Sequence, residues 1–390
     1  IPATSADLNT ATDGQVQNIL NVVLTGGGTD LNLGNQSEGF NITGSAGGDT
    51  LRGGAGNDTI TGGGSQDIFD IVSGTDIITD LGAGGGIDGL RVSAGATANA
   101  TVTDDYTAPV GLSTNFGTAN LTLNNGIDAN MDASTGPNGY TITAAGNLLA
   151  SAIVGSDFAD TITGGNGDDT ITGGLGNDSV LGGAGADTYN INASTDGSDT
   201  VNLGTGLDTV NVVAPVGADV RITFTTGEVG DGNPLDQNDD LPAGPGLAYG
   251  GSEDGGLAVR FQLEDAGGLV TGEMGFVPGS ALSRFDDEGI IFNTAPATSF
   301  FDVRDLGTGA AYGSSFRSVA FGTSAADALD VTTLGMTGDS FVHGGEGNDT
   351  ITGNGDDDYL MGGIGNDSLS GGGDTDTLIG GEGDDTLNGG

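Results

Sequence analysis

The chain has 390 residues, of which 79 are Gly, 54 are acidic, seven are basic and none is Cys, and its formal charge is −47. It carries no basic patch for nucleic acid or an anionic membrane surface and no run of 18 apolar residues for a membrane span. Without Cys it can form neither a disulfide framework nor a thiolate metal site. Aromatics at 5% are too few for a large conventional core, although the length admits two to four modules.

Residues 1–43 are polar with short apolar runs at 19–24, 31–33 and 40–42. Strand and turn in alternation are expected there, as irregular coils leading into a repeat. Residues 44–80 hold a first regular cluster, GSAGGDTLR, GGAGNDTIT and GGGSQDIFD with a looser turn after them. It places Asp49, Asp58, Asp67 and Asp76 nine residues apart, and the first domain is expected to cover 1–95. Residues 96–154 are rich in Thr, Asn and Ala, with strand-like alternation and almost no helical periodicity. The second cluster, 155–212, reads GSDFADTIT, GGNGDDTIT, GGLGNDSVL and GGAGADTYN. Asp160, Asp169, Asp178 and Asp187 are in register, and two turns around Asp199 and Asp208 follow a short slip, closing a domain over 96–214.

Residues 215–321 differ. Arg221, Arg260, Arg284, Arg304 and Arg317 lie here, and segments such as VRITF, LAVRFQLED, GIIFN and FFDVRDL alternate as half-buried antiparallel strands do. A compact, β-sandwich-like module is expected. The last domain, 322–390, re-enters repeat-like sequence near Asp327 and ends in a third cluster over 344–390.

That third cluster is the most regular: GGEGNDTIT, GNGDDDYLM, GGIGNDSLS, GGGDTDTLI and GGEGDDTLN. The pattern is G-G-x-G-x-D-x-U-x, with U a large apolar residue. Asp349, Asp358, Asp367, Asp376 and Asp385 recur with it, as do Ile351, Leu360, Leu369, Leu378 and Leu387. Glycine lets the turn take positive φ and bring carbonyls close to an ion. Aspartate supplies a hard anionic oxygen suited to Ca²⁺, and the U side chain points inward from a short strand. This periodicity is the signature of a calcium-binding parallel β-roll.

Successive nonapeptides turn on opposite sides, so an ion is expected between turn n and turn n+2. The pairs are Asp349 with Asp367, Asp358 with Asp376, and Asp367 with Asp385, and backbone carbonyls complete the shell. Asn57, Asp168, Asn177, Asn348, Asn366 and Asp384, at position five, are read as shaping the turn. Ser65 and Gln66 in the first cluster and Asn354 and Asp356 in the third depart from the pattern, which weakens the sites there. So many carboxylates repel one another, and folding is expected to depend on calcium.

Catalysis has little support, and the chain is not expected to be an enzyme. His343 is the sole His, too few for a two- or three-His zinc site, and it is expected as a solvated turn residue. There is no G-x-S-x-G nucleophile elbow and no P-loop. Triplets such as Thr59-Ile60-Thr61, Thr161-Ile162-Thr163, Thr170-Ile171-Thr172 and Thr350-Ile351-Thr352 put hydroxyls outward in ranks, as ice-binding solenoids do. Arg52, Leu181, Asn190 and Met361 interrupt those ranks, and threonine is an ordinary strand residue.

The repeats resemble the RTX (repeats-in-toxin) family of secreted bacterial proteins. Residues 1–43 and 96–154 are loosely similar to the β-solenoid of bacterial RTX surface-layer proteins, and 215–321 to β segments of large bacterial surface proteins. The resemblance implies export through a type I channel, folding on extracellular calcium, several bound Ca²⁺ ions and a secreted or cell-surface location. The expected fold is all-β, a parallel β-roll or β-solenoid of calcium-binding nonapeptides interrupted by a compact antiparallel β module.

Because the repeats are distributed along the chain, the leading expectation is a structural protein. It would self-assemble as a homo-oligomer into an extracellular layer or filament, as a surface-layer, fibre or adhesin-stalk subunit. Two alternatives stay open. One is the C-terminal secretion and folding module of a larger RTX enzyme or toxin. The other is an adhesin that binds a surface or carbohydrate, with cell-surface polysaccharide as partner. A start at Ile1-Pro2 and a stop in mid-repeat suggest a piece of something longer.

Overall fold

The computed structural model describes residues 20–192, 199–205, 208–213, 219–225, 258–264, 270–274, 290–295, 301–305, 311–322 and 326–390. The start of the predicted lead-in (1–19) and the long loops of 215–321, including 231–246, lie outside the described residues. Every regular element among those described is a β-strand, as the sequence predicts. The chain divides into two compact units, Ile1–Ser179 and Val180–Gly390.

In the first unit the strands stack in parallel, in register, into three sheets. One runs Asn21–Val23, Asn41–Thr43, Thr59–Thr61, Thr75–Leu81, Thr97–Val102, Thr118–Leu123, Tyr140–Thr143 and Thr161–Thr163. A second holds Tyr106–Thr107, Ala129–Asn130, Ala152–Val154 and Thr170–Thr172, and a third Asp30–Asn32, Thr50–Arg52, Ile68–Ile71, Gly89–Val92 and Thr114–Asn115. Within the first cluster the coil is 18 residues, two nonapeptides: Ile42 pairs with Ile60 and Leu51 with Phe69. Outside the cluster the coil lengthens. Asn99 pairs with Asn120, and Ala129 with Ile153. The polar lead-in is regular where described, since Asn21–Val23 and Asp30–Asn32 join the same sheets.

Alternation within each strand explains the core. The middle residue of Thr59–Thr61, Thr161–Thr163 or Thr170–Thr172 is inward and buried, and its neighbours point out. Leu31, Leu51, Ile60, Phe69, Ile78, Leu90, Leu121, Ile142, Ile162 and Ile171 are all buried, so each coil covers the apolar residue of the last.

The outward positions of the first sheet form two files. One runs Asn21, Asn41, Thr59, Ile77, Asn99, Asn120, Thr141, Thr161, and along it Asn120 donates to Asn99 at 2.8 Å. Beside it, Thr61 and Thr79 share a 2.7 Å hydroxyl bond. The interruption expected at Arg52 falls in a different sheet, where its guanidinium pairs with Asp70.

In the second unit, Thr188–Asn192, Asp208–Val213, Ile290–Ala295, Ser318–Phe321, Ser340–Glu346, Tyr359–Ile364 and Thr377–Glu382 form one sheet, and Ala328–Asp330, Thr350–Thr352, Ser368–Ser370 and Thr386–Asn388 another. Ala320, Leu329, Val331, Met336, Val342, Ile351, Leu360 and Leu369 form its core. Two strands of 215–321 lie within the larger sheet. Ile290–Ala295 is parallel to Asp208–Val213 but antiparallel to Ser318–Phe321, so strand direction reverses there. The other strands make a mixed five-stranded sheet, antiparallel except where Asp219–Thr225 meets Phe301–Asp305.

Candidate metal centres

Each nonapeptide turn bends its aspartate inward. Asp49, Asp58, Asp67, Asp76, Asp160, Asp169, Asp178, Asp187, Asp199, Asp208, Asp349, Asp358 and Asp367 are all buried, and Asp376 and Asp385 are half-buried. The Oδ1 atom accepts the backbone N–H at the equivalent place one coil earlier. Asp49 donates to Asp67 (2.7 Å), Asp58 to Asp76 (2.9 Å), Asp160 to Asp178 (2.8 Å) and Asp187 to Asp208 (2.7 Å). In the third cluster Asp349 donates to Asp367 (2.8 Å), Asp358 to Asp376 (3.1 Å) and Asp367 to Asp385 (2.9 Å). The three pairs expected from turn n and turn n+2 are thus brought together. The Oδ2 atom of Asp199 accepts the Tyr189 hydroxyl at 2.6 Å.

The second oxygen separates two kinds of turn. In the turns of Asp49, Asp58, Asp160, Asp169 and Asp358, Oδ2 accepts the N–H of position two of its own nonapeptide. The donors are Ser45 (2.6 Å), Gly54 (2.8 Å), Ser156 (2.6 Å), Gly165 (2.5 Å) and Asn354 (2.7 Å). These are closed turns, with negative φ at positions two and four.

In the turns of Asp67, Asp178, Asp187, Asp349, Asp367, Asp376 and Asp385, positions two and four both have positive φ, for example +113° at Gly363 and +147° at Gly365. A left-handed φ swings the position-two N–H away from the carboxylate. In the Asp67 turn, Gly63 donates to Asp80 instead, at 2.9 Å. The Oδ2 atoms of Asp349, Asp367 and Asp376 are buried with no hydrogen-bond partner. These are open turns. Their shape persists where glycine does not: Ser65 and Asp374, both at position four, adopt φ of +68° and +60°.

Glycine is needed for a second reason. A Cβ on Gly344, Gly362 or Gly371 would strike Oδ2 of the aspartate in the same turn. One on Gly363 or Gly365 would strike the carbonyl oxygen of Gly345 or Gly347 one coil back. Backbone carbonyls therefore line the gap between open turns. Among the described residues, no three His, Cys, Asp or Glu side chains converge on one point. A cation held here takes paired aspartates and a majority of carbonyl oxygens, a donor set suited to Ca²⁺. The orphaned Oδ2 atoms supply the fit, since an unpartnered buried carboxylate oxygen is costly until something charged meets it.

Burial pushes the carboxyls of Asp67 and Asp76 up to about 7 and those of Asp88, Asp349 and Asp358 up to about 6, and raises those of Asp58, Asp160 and Asp169. Position-five side chains shape the stack as expected. Asn348 accepts from Asn366 N–H (2.8 Å), and Asn366 from Asp384 N–H (2.7 Å).

Two members of the ladder escaped the nine-residue spacing. Asp88, buried, accepts from Asp67 N–H and Gly82 N–H, both at 2.8 Å. Asp327 donates its own N–H to Asp349 at 2.9 Å. His343 overturns its expectation. It lies within strand Ser340–Glu346, buried rather than solvated, and burial lowers its pKa to about 4.

Residues 43–78, 154–189, 334–369 and 370–390 match the family model of the RTX calcium-binding nonapeptide repeat. The RTX resemblance therefore holds in all three clusters, and these repeats bind calcium at multiple sites. No curated protein matches the chain as a relative.

Proposed function

We propose that this RTX-repeat chain is a secreted structural protein that folds on extracellular calcium and assembles with copies of itself into a layer or filament. RTX-repeat proteins are generally exported by type I systems, which supports the extracellular setting. The observation that carries the structural reading is the distribution of the turns. RTX turns lie in both compact units, and in the first unit they share continuous sheets with coils that are not RTX repeats. Calcium is thereby part of the framework rather than an appendage to a separate domain.

Electron microscopy in calcium and then in chelator tests assembly. Ordered sheets or filaments that disperse on chelation are expected, and a dispersed monomer in both conditions overturns the proposal.

A further inference from the structure

Three of the five closed turns are explained by what stands at position two, which is not glycine: Ser45, Ser156 and Asn354. A side chain there resists the left-handed φ of an open turn at a cost of about 1–2 kcal/mol. Each of the three also clamps the turn. Ser45 Oγ accepts Gly47 N–H and Ser156 Oγ accepts Phe158 N–H, both at 3.2 Å, and Asn354 Oδ1 accepts Asp356 N–H at 2.7 Å. Those donors are at position four, the other residue that must turn left-handed. Both serines also donate to the Oδ2 atom that an open turn leaves bare, at 3.1 Å and 3.0 Å. Asn354 is braced further by its Nδ2 on the Gly338 carbonyl at 3.1 Å.

The remaining two closed turns have no clamp from position two. Gly54 and Gly56 precede Asp58, and Gly165 and Gly167 precede Asp169. Glycine reaches positive φ at no steric cost, and the bond that opening would release, the position-two N–H on Oδ2, is worth about 1 kcal/mol net. The Gly54 carbonyl also accepts Ser73 Oγ at 3.1 Å, and the Ala55 and Asn166 N–H groups reach the Gln36 and Asn147 carbonyls at 2.8 Å and 2.6 Å.

We propose that the residue at position two decides whether a turn takes calcium: Ser45, Ser156 and Asn354 lock three turns against the ion, and the all-glycine turns of Asp58 and Asp169 open to receive it. The inference rests on calcium binding by the repeats and goes beyond the assembly reading. It divides the chain into constitutive, convertible and locked turns. It also makes the count of bound ions smaller than the count of in-register aspartates.

The test is a gain of site. The double variant Asn354→Gly/Asp356→Gly is expected to bind one more Ca²⁺ per chain than the parent by equilibrium dialysis, with a matching rise in terbium luminescence. An unchanged count in a folded variant overturns the proposal. The parent protein gives a second measurement that does not depend on how a variant folds. At saturating calcium, amide hydrogen exchange is expected to be fast at Gly54 and Gly165 and slow at Ser45, Ser156 and Asn354. Equal protection at all five overturns it.

Discussion

The turns of Asp358 and Asp367 lie one nonapeptide apart, yet their carboxylates are in opposite states. Asp358 is saturated by protein donors, Ser340 N–H on Oδ1 at 2.9 Å and Asn354 N–H on Oδ2 at 2.7 Å. Asp367 accepts Asp349 N–H on Oδ1, and its Oδ2 is buried without a partner. A closed turn is complete within the protein. An open turn is preorganised for a ligand and leaves a charge uncompensated until one arrives. The same sequence motif thus yields a hydrogen-bonded corner or an ion site, according to two backbone torsions.

Calcium removal breaks this comparison most severely. Chelation at pH 7 is expected to collapse the β signal in circular dichroism, because the open turns then hold unpaired buried carboxylates. A full-size signal without calcium would refute the coupling. Acid should partly substitute for the ion. In the folded chain, burial raises the pKa of Asp67 and Asp76 to about 7 and of Asp349 and Asp358 to about 6, above the ordinary aspartate value of 3.8. A raised carboxyl pKa means that the folded chain binds more protons than the unfolded one. The stabilisation is therefore fully present below about pH 4 and is lost as pH rises through 6 to 7. Chelated protein titrated from pH 7 to pH 4.5 should regain β signal, and a monotonic loss would contradict the assignment.

Single substitutions sharpen the contrast. Asp367→Ala should lower calcium stoichiometry and affinity more than Asp385→Ala, because Asp367 links to both Asp349 and Asp385. Asp358→Asn should cost about 1–3 kcal/mol through its hydrogen bonds, by nearly the same amount with and without calcium in any medium where the chain remains folded. The smallest effect is expected at Ser65→Gly and Asp374→Gly. Relief of a left-handed non-glycine residue is worth about 1–2 kcal/mol, and the added freedom of the unfolded chain offsets about half of it. A stabilisation below about 1 kcal/mol, read from urea midpoints in calcium, would match.

The nine-residue period made much of this legible. It located the inward Ile60, Ile162 and Leu369, the paired aspartates and the position-five ladder. It could not show Asp88, because the coil there is lengthened by three residues and the side chain returns to the ladder at a spacing of 21. His343 was misread because it directly precedes the Gly344-Gly345 turn, whereas it pairs in register with Met361 and its side chain is buried. Strand direction at Ile290–Ala295 is a tertiary choice without a local signal. The open and closed states are half readable: a non-glycine at position two marks a locked turn, but Gly54 and Gly363 are the same residue with different φ.

The uneven coil length has one more consequence. A tract of identical 18-residue coils could mispair by one whole coil and lose almost nothing, because every inward residue and every aspartate would find an equivalent neighbour. Features that occur once remove this degeneracy. The Arg52–Asp70 ion pair, the buried Tyr106 hydroxyl on the Asp88 carbonyl at 3.0 Å and the long coil joining Ala129 to Ile153 fit in only one alignment. They act as index marks that keep a repetitive chain from folding out of step.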